Sequence, residues 1–163
     1  MNKTVADVLK AIDISYPLSR AESWDRVGLQ IGDANADVHS ALIAHEVTDA
    51  VLDEAGEHDA LVVYHPLLFR PLENLDFKNH TARLAARCLS LGLNVLAIHS
   101  ALDNAPQPHA LGDHLASSLG LQDAGVLRPT VVAPLEAAPG VGTLPAETLG
   151  AAAPGLLSCS VRI

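Results

Sequence analysis

Three short apolar runs of strand length constrain the fold of this chain more than any other feature of its sequence. They cover residues 40–45, 60–64 and 93–98, and stretches with a helical spacing of apolar residues separate them at 49–57 and 79–91. Short apolar strands that alternate with amphipathic helices are typical of a parallel sheet. The sequence therefore predicts an α/β fold, with a mostly parallel sheet flanked by helices.

Two more helices and one more strand complete this prediction. Apolar residues recur at helical spacing over residues 4–14, and Thr4 followed by Asp7 resembles a capping box at the start of that helix. Residues 23–32 are predicted to form a loop that runs into a strand, and a last helix is predicted over 109–119.

The composition sets limits on both the core and the partners. Of the 163 residues 49% are apolar but only 3% are aromatic, so the core must be built from aliphatic side chains. The net charge of -9, with 10 basic residues scattered along the chain, argues against a nucleic-acid surface and a polybasic membrane anchor. No apolar stretch approaches the roughly 18–20 residues that span a bilayer, and no signal peptide is evident. We therefore expect a cytoplasmic protein whose cysteines, Cys88 and Cys159, are free thiols.

A change in composition divides the chain. Residues 126–163 contain seven alanines, five prolines and four glycines, with few charged residues. Within them, 131–132 and 160–163 look like pieces of strands. We predict an α/β domain over residues 1–125 and, at 126–163, the Ala/Pro/Gly-rich start of an incomplete second lobe.

Two side chains that follow predicted strands are candidates for chemistry. His65 comes directly after the run at 60–64, and Asp103 follows the run at 93–98. Because the carboxyl ends of parallel strands meet at one edge of a sheet, we expect these residues at the same rim. An imidazole and a carboxylate there could bind a divalent ion, but zinc sites use three or four protein ligands. A solvated His65 and a helix-capping Asp103 are the alternatives that spacing leaves open.

Three motifs together resemble one family. Residues 22–32 (Glu-Ser-Trp-Asp-Arg-Val-Gly-Leu-Gln-Ile-Gly) look like its N-terminal signature, 64–69 (Tyr-His-Pro-Leu-Leu-Phe) its His-His-Pro-Leu-Ile-Phe motif, and 99–105 (His-Ser-Ala-Leu-Asp-Asn-Ala) its His-Thr-x-Leu-Asp-x-Ala motif. The chain is thereby similar, over nearly its whole length, to the Nif-three-like dinuclear-metal-centre hexameric family, whose members are often named GTP cyclohydrolase 1 type 2 homologues.

The resemblance implies a site that spacing alone does not. Members of the family hold two metal ions in a cleft, assemble into a toroidal hexamer, and would use a metal-bridged water as a hydrolytic nucleophile. The implied ligands are both histidines of the His-His-Pro motif, the aspartate of the later motif, and a C-terminal His-x-x-x-Glu pair. Here Tyr64 stands at the first histidine position, and the C-terminal pair does not occur. We therefore predict a degenerate site in which His65 and Asp103, assisted by Tyr64 or His99, bind a divalent ion such as Zn, Mn, Fe or Ni.

Two functions stay open at this point. The chain is expected to be a truncated, divergent member that carries the first half of a two-lobed family fold. It is either a metal-dependent hydrolase or a non-catalytic oligomeric scaffold that has lost the metal site. In both cases we expect a homo-oligomer or a complementary C-terminal subunit as the partner, because the missing half leaves apolar surface uncovered. The substrate does not follow from the sequence.

Overall fold

The computed structural model describes residues 2–122 and 158–162. In chain order the elements are β1 (Lys3–Thr4), α1 (Val5–Ser15), a 3-10 turn (Leu18–Arg20), β2 (Gly28–Ile31), β3 (Asp37–Val38), β4 (Ser40–Ala44), α2 (Asp49–Ala55), β5 (Ala60–Val63), α3 (His80–Ser90), β6 (Asn94–Ala97), α4 (His99–Asp103), α5 (Leu111–Ser118) and β7 (Ser158–Arg162). The predicted α/β class is confirmed.

Five of these strands form the main sheet, in the order β2-β6-β5-β4-β7. The central strands β4, β5 and β6 are parallel, with Ala44 beside Val63 and Val63 beside Ala97. The two edge strands run antiparallel to their neighbours. The predicted parallel core is therefore present, and its antiparallel edges make the sheet mixed, as is common in α/β folds.

Side-chain caps explain where the helices begin. The Thr4 hydroxyl accepts a hydrogen bond from the Asp7 backbone N–H at 3.3 Å, and the Asp7 carboxylate accepts from the Thr4 N–H at 3.0 Å. This is the predicted capping box, and it satisfies two donors that the first turn of α1 would leave unpaired. Thr48 and Asn79 cap α2 and α3 in the simpler way, each accepting one backbone N–H.

The sheet separates two aliphatic clusters. Leu61 and Val63 of β5 point to one face, where they pack with α2 and α3, and Val62 points to the other, where it packs with α1. This alternation follows from the two-residue period of a strand, and it buries β5 on both faces. Cys88 is fully buried in the first cluster as a free thiol, as predicted.

The structure contains three features that the sequence did not predict: a short helix, a small second sheet and the pairing of the last strand. The short helix α4 directly after β6, and the small sheet of β1 and β3, were not predicted. The strand expected at 160–163 is present as β7, but it pairs with β4 in the main sheet. The predicted boundary at 125/126 and the strand piece at 131–132 lie outside the described residues. Among the helices that are described, none is long and apolar enough to cross a membrane.

Candidate functional site

The carboxyl ends of β4, β5 and β6 form one edge of the sheet, which we call the rim. Backbone hydrogen bonds continue past the strands there: the His65 N–H donates to the His45 carbonyl at 2.8 Å, and the His99 N–H donates to the Tyr64 carbonyl at 3.0 Å. His99 then turns into α4 with a φ of +25°, a left-handed conformation that L-residues rarely adopt. These constraints place four rings side by side, those of His45, Tyr64, His65 and His99.

The rings are in mutual contact. The ring centroids of His45 and His65 are 4.3 Å apart, those of Tyr64 and His65 are 4.8 Å apart, and those of His65 and His99 are 5.4 Å apart. Tyr64 also stacks on His45, with 20° between the planes. The expectation that residues after neighbouring strands meet at one rim is therefore confirmed.

Tyr64 and Asp103 form a polar side-chain contact across the rim. The Tyr64 hydroxyl lies 3.0 Å from each oxygen of the Asp103 carboxylate. Burial, together with the hydrogen bond to Asp103 and its negative charge, raises the pKa of Tyr64 to about 12. The phenol therefore stays protonated at neutral pH, and a protonated phenol is a poor metal ligand. Asp103 is the last residue of α4, so the alternative of a helix-capping aspartate is wrong.

His65 has different neighbours. Its Nδ1 lies 4.0 Å from a carboxylate oxygen of Glu46. Burial, and then the positive charge that His45 and His99 can carry, lowers the pKa of His65 below 6.5, although Glu46 and Asp103 act in the opposite direction. The two residues that sequence reasoning placed in one metal site, His65 and Asp103, thus each have a separate polar partner in the structure.

Asp25 is a site residue that sequence reasoning did not identify. Its side chain is fully buried and lies 2.9 Å from Nδ1 of His99. The carboxylate also accepts hydrogen bonds from the backbone and hydroxyl of Ser100 and from the Arg26 N–H. Burial raises the pKa of Asp25, but hydrogen bonds from Ser100, His99 and the Arg26 backbone outweigh burial and leave it below its ordinary value of 3.8. Because an ionised carboxylate only accepts, Nδ1 of His99 carries the hydrogen in this contact.

Two exposed aromatic residues adjoin His99. Trp24 and Phe69 lie 6.2 Å and 6.3 Å from the His99 ring, centroid to centroid, and 6.0 Å from each other. Both belong to motifs singled out in the sequence, but no spacing rule marks them, because they lie 45 residues apart and on loops.

The donor set at the rim does not fit the two-metal centre that the family resemblance implies. Within the part of the chain that the structure describes, no group of three or more His, Cys, Asp or Glu side chains is arranged to hold a metal ion. The Tyr64 hydroxyl, a poor metal ligand, stands between the rim histidines and Asp103, 3.0 Å from each oxygen of the carboxylate that would be a ligand in such a centre.

Comparisons with known proteins agree with the motifs. The family model for DUF34/NIF3 (NGG1p interacting factor 3) matches residues 3–158. A Mycobacterium tuberculosis protein named GTP cyclohydrolase 1 type 2 homolog is 34% identical over 129 residues, which are 79% of this chain and 34% of that protein. A Staphylococcus aureus protein of the same name is 32% identical over 125 residues, 76% of this chain and 33% of that protein.

A solved structure shows the same likeness. The Bacillus cereus protein described as related to NIF3 superposes with a TM-score of 0.73 at 32% identity, over 80% of this chain and 36% of that one. The chain spans about a third of the length of the curated relatives that it matches. Because the family model covers nearly all of its residues, this chain belongs to the DUF34/NIF3 family.

Proposed function

We propose that this chain is a non-catalytic, oligomeric member of the DUF34/NIF3 family whose rim binds its ligands without a two-metal centre. The observation that carries the proposal is the hydrogen bond from Tyr64 to both oxygens of Asp103. The phenol, whose pKa is about 12, is a neutral donor to that carboxylate.

The rival proposal is a metal-dependent hydrolase in which His65 and Asp103 bind a single Zn, Mn, Fe or Ni ion. The convergence of the imidazoles of His45, His65 and His99 at one rim favours it. Imidazole is a common ligand for all four metals. The name carried by the relatives describes those proteins as homologues, and it gives no activity to this chain.

Metal analysis separates the two proposals. After incubation of the whole chain with each metal and desalting, we expect clearly substoichiometric metal by elemental analysis, because the described residues contain no group of three or more His, Cys, Asp or Glu side chains arranged to hold an ion. His65→Ala should leave that value unchanged. His80→Ala, which removes an exposed imidazole outside the rim, is the matched control. Near-stoichiometric metal that His65→Ala abolishes would replace our proposal by the hydrolase.

We further propose that the chain assembles with copies of itself, and a hexamer is the form that the family resemblance implies. Leu111, Leu115 and Leu119 recur at four-residue spacing along and just past α5, and the described residues bury no side chain of that helix. Such a stripe of leucines is typical of a helix that packs on another one. A complementary subunit is the other candidate partner. A cytoplasmic location is part of the proposal, and the free thiol of Cys88 is in keeping with a reducing compartment.

A charge on the leucine stripe should disrupt this assembly. We expect Leu115→Glu to weaken self-association at least about tenfold, since a carboxylate in an apolar interface is left unpaired. Leu89→Glu is the control, because Leu89 and Leu115 are both 60% exposed and Leu89 lies on α3. Light scattering over a concentration series measures the effect. A wild-type chain that is a monodisperse monomer would contradict self-assembly.

A further inference from the structure

Aromatic side chains are scarce in this chain, and they are concentrated at the rim. The sequence has one Trp, two Tyr and two Phe, and three of these five, Trp24, Tyr64 and Phe69, lie beside the rim histidines. Trp24 is 54% exposed and Phe69 is 41% exposed. Exposed aromatic surface gathered at one place is a common feature of binding sites.

The geometry of Trp24, Phe69 and His99 indicates the shape of the group that would cover them. Trp24, Phe69 and His99, which we call the aromatic corner, lie 6.0–6.3 Å apart with interplanar angles of 66°, 76° and 84°. A flat ligand is held best between parallel rings, whereas three nearly perpendicular walls suit a compact, roughly spherical group. A group of this shape can contact a face of each ring, and it needs no hydrogen-bond donor or acceptor on the protein to do so.

Three carboxylates and one guanidinium lie around the aromatic corner, the guanidinium being that of Arg26, which donates to the Asp25 backbone carbonyl at 3.1 Å. The buried carboxylate of Asp25 lies directly behind the imidazole of His99. Asp103 accepts a hydrogen bond from Tyr64, whose ring centroid is 5.2 Å from that of His99. Glu46 lies 4.0 Å from Nδ1 of His65, whose ring centroid is 5.4 Å from that of His99. Among the described residues, no lysine or arginine stacks on the three rings. No lysine or arginine of the described residues therefore takes the place of an external cation on these rings.

We propose that the aromatic corner of Trp24, Phe69 and His99 binds a quaternary or methylated ammonium group. The three ring faces contact the methyl groups by cation–π attraction, and the carboxylates of Asp25, Asp103 and Glu46 supply the compensating charge. An ammonium group is then the class of ligand that the rim binds, and this inference rests on the proposed function, in which the rim binds its ligands without a two-metal centre.

The single tryptophan makes the test direct, because Trp24 is both a wall of the site and the sole source of tryptophan fluorescence. The whole chain is titrated in metal-free buffer with choline, and in parallel with 3,3-dimethyl-1-butanol, a neutral molecule of the same shape. We expect a saturable change of fluorescence with choline and about tenfold or more weaker binding of the neutral analogue. Equal binding of the two, or no saturable change with choline, would overturn the proposal.

Two variants test where on the chain choline binds. Phe69→Leu keeps an apolar side chain and the Trp24 reporter but removes one π-face, so choline binding should weaken by about threefold to tenfold. Phe77→Leu, which alters another exposed phenylalanine that has no ring contact with the aromatic corner, should leave choline binding unchanged. Equal effects of the two variants would overturn the assignment to the aromatic corner. Failure of choline to bind while bound metal stays substoichiometric refutes this inference alone, whereas stoichiometric metal refutes the proposed function.

Discussion

Asp25→Asn should lower the free energy of unfolding by about 3 kcal/mol at neutral pH. The side chain is fully buried, and each of its oxygens accepts a backbone N–H: Oδ1 that of Arg26 at 2.7 Å and Oδ2 that of Ser100 at 3.0 Å. Asparagine has nearly the same shape, but one of its two terminal atoms is an NH2 group that only donates. Whichever way the amide turns, that group faces a backbone N–H, which cannot accept. One buried donor therefore loses its partner, and the hydrogen bond to His99 loses its charge.

Urea denaturation measures this effect against two matched variants. Ser100→Ala removes the hydroxyl that donates to Asp25 and accepts from the Glu22 backbone N–H at 3.0 Å. Because Asp25 keeps both of its backbone donors in this variant, we expect a smaller cost of about 2 kcal/mol. Asp37→Asn makes the same chemical change at an exposed carboxylate, and we expect it to alter stability by less than about 0.5 kcal/mol. If Asp25→Asn were as mild as Asp37→Asn, the buried hydrogen-bond network around Asp25 would not exist as described.

The pH dependence has a definite sign. The pKa of Asp25 is lower in the folded chain than its ordinary value of 3.8. Its contribution to stability is therefore fully present above the unfolded-state pKa and is lost as the pH falls through the folded-state pKa. The difference in unfolding free energy between the wild type and Asp25→Asn should be constant above pH about 5 and shrink under acid conditions.

Much of the fold was predictable because its signals are local. The capping box of Thr4 and Asp7 spans four residues, and the apolar run at 60–64 marks β5 almost to the residue. The short helix α4 has five residues, too few to show a helical period, and it begins without a side-chain cap. Its position depends on strand β6, which ends just before it and sets the path of the chain at the rim.

The candidate site was predictable in part. Strand ends are readable from sequence, so Tyr64, His65, His99 and Asp103 could be placed at one rim. Their pairing could not, since Tyr64 and Asp103 are 39 residues apart, and Asp25 and His99 are 74 apart. Which carboxylate meets which donor depends on rotamers and loop paths that no local pattern encodes. The role of His65 and Asp103 as metal ligands stays a prediction.

Tyr64→His should raise the affinity of the rim for Zn2+ by about 100-fold, which corresponds to about 2.7 kcal/mol. The substitution has two effects at once. It removes the hydroxyl that now donates to both oxygens of Asp103, and it adds an imidazole beside His65, whose ring centroid lies 4.8 Å from the ring it replaces. With the introduced imidazole, His65 and Asp103 reach the three protein ligands that the smallest zinc sites use.

Tyr64→Phe separates these two effects, because it frees Asp103 and keeps the aromatic stack on His45 but adds no ligand. Competition with a chromogenic zinc chelator gives the affinities, and we expect Tyr64→Phe to stay within about threefold of the wild type, since a lone freed carboxylate adds little to too few ligands. Adding His65→Ala to Tyr64→His should abolish the gain. If Tyr64→His bound zinc no better than Tyr64→Phe, the remaining rim would lack metal-binding geometry altogether, and Tyr64 would not be the residue that excludes the metal. If the gain appears, one phenol in place of one imidazole accounts for the difference between a metal-binding rim and the hydrogen-bonded rim of this chain.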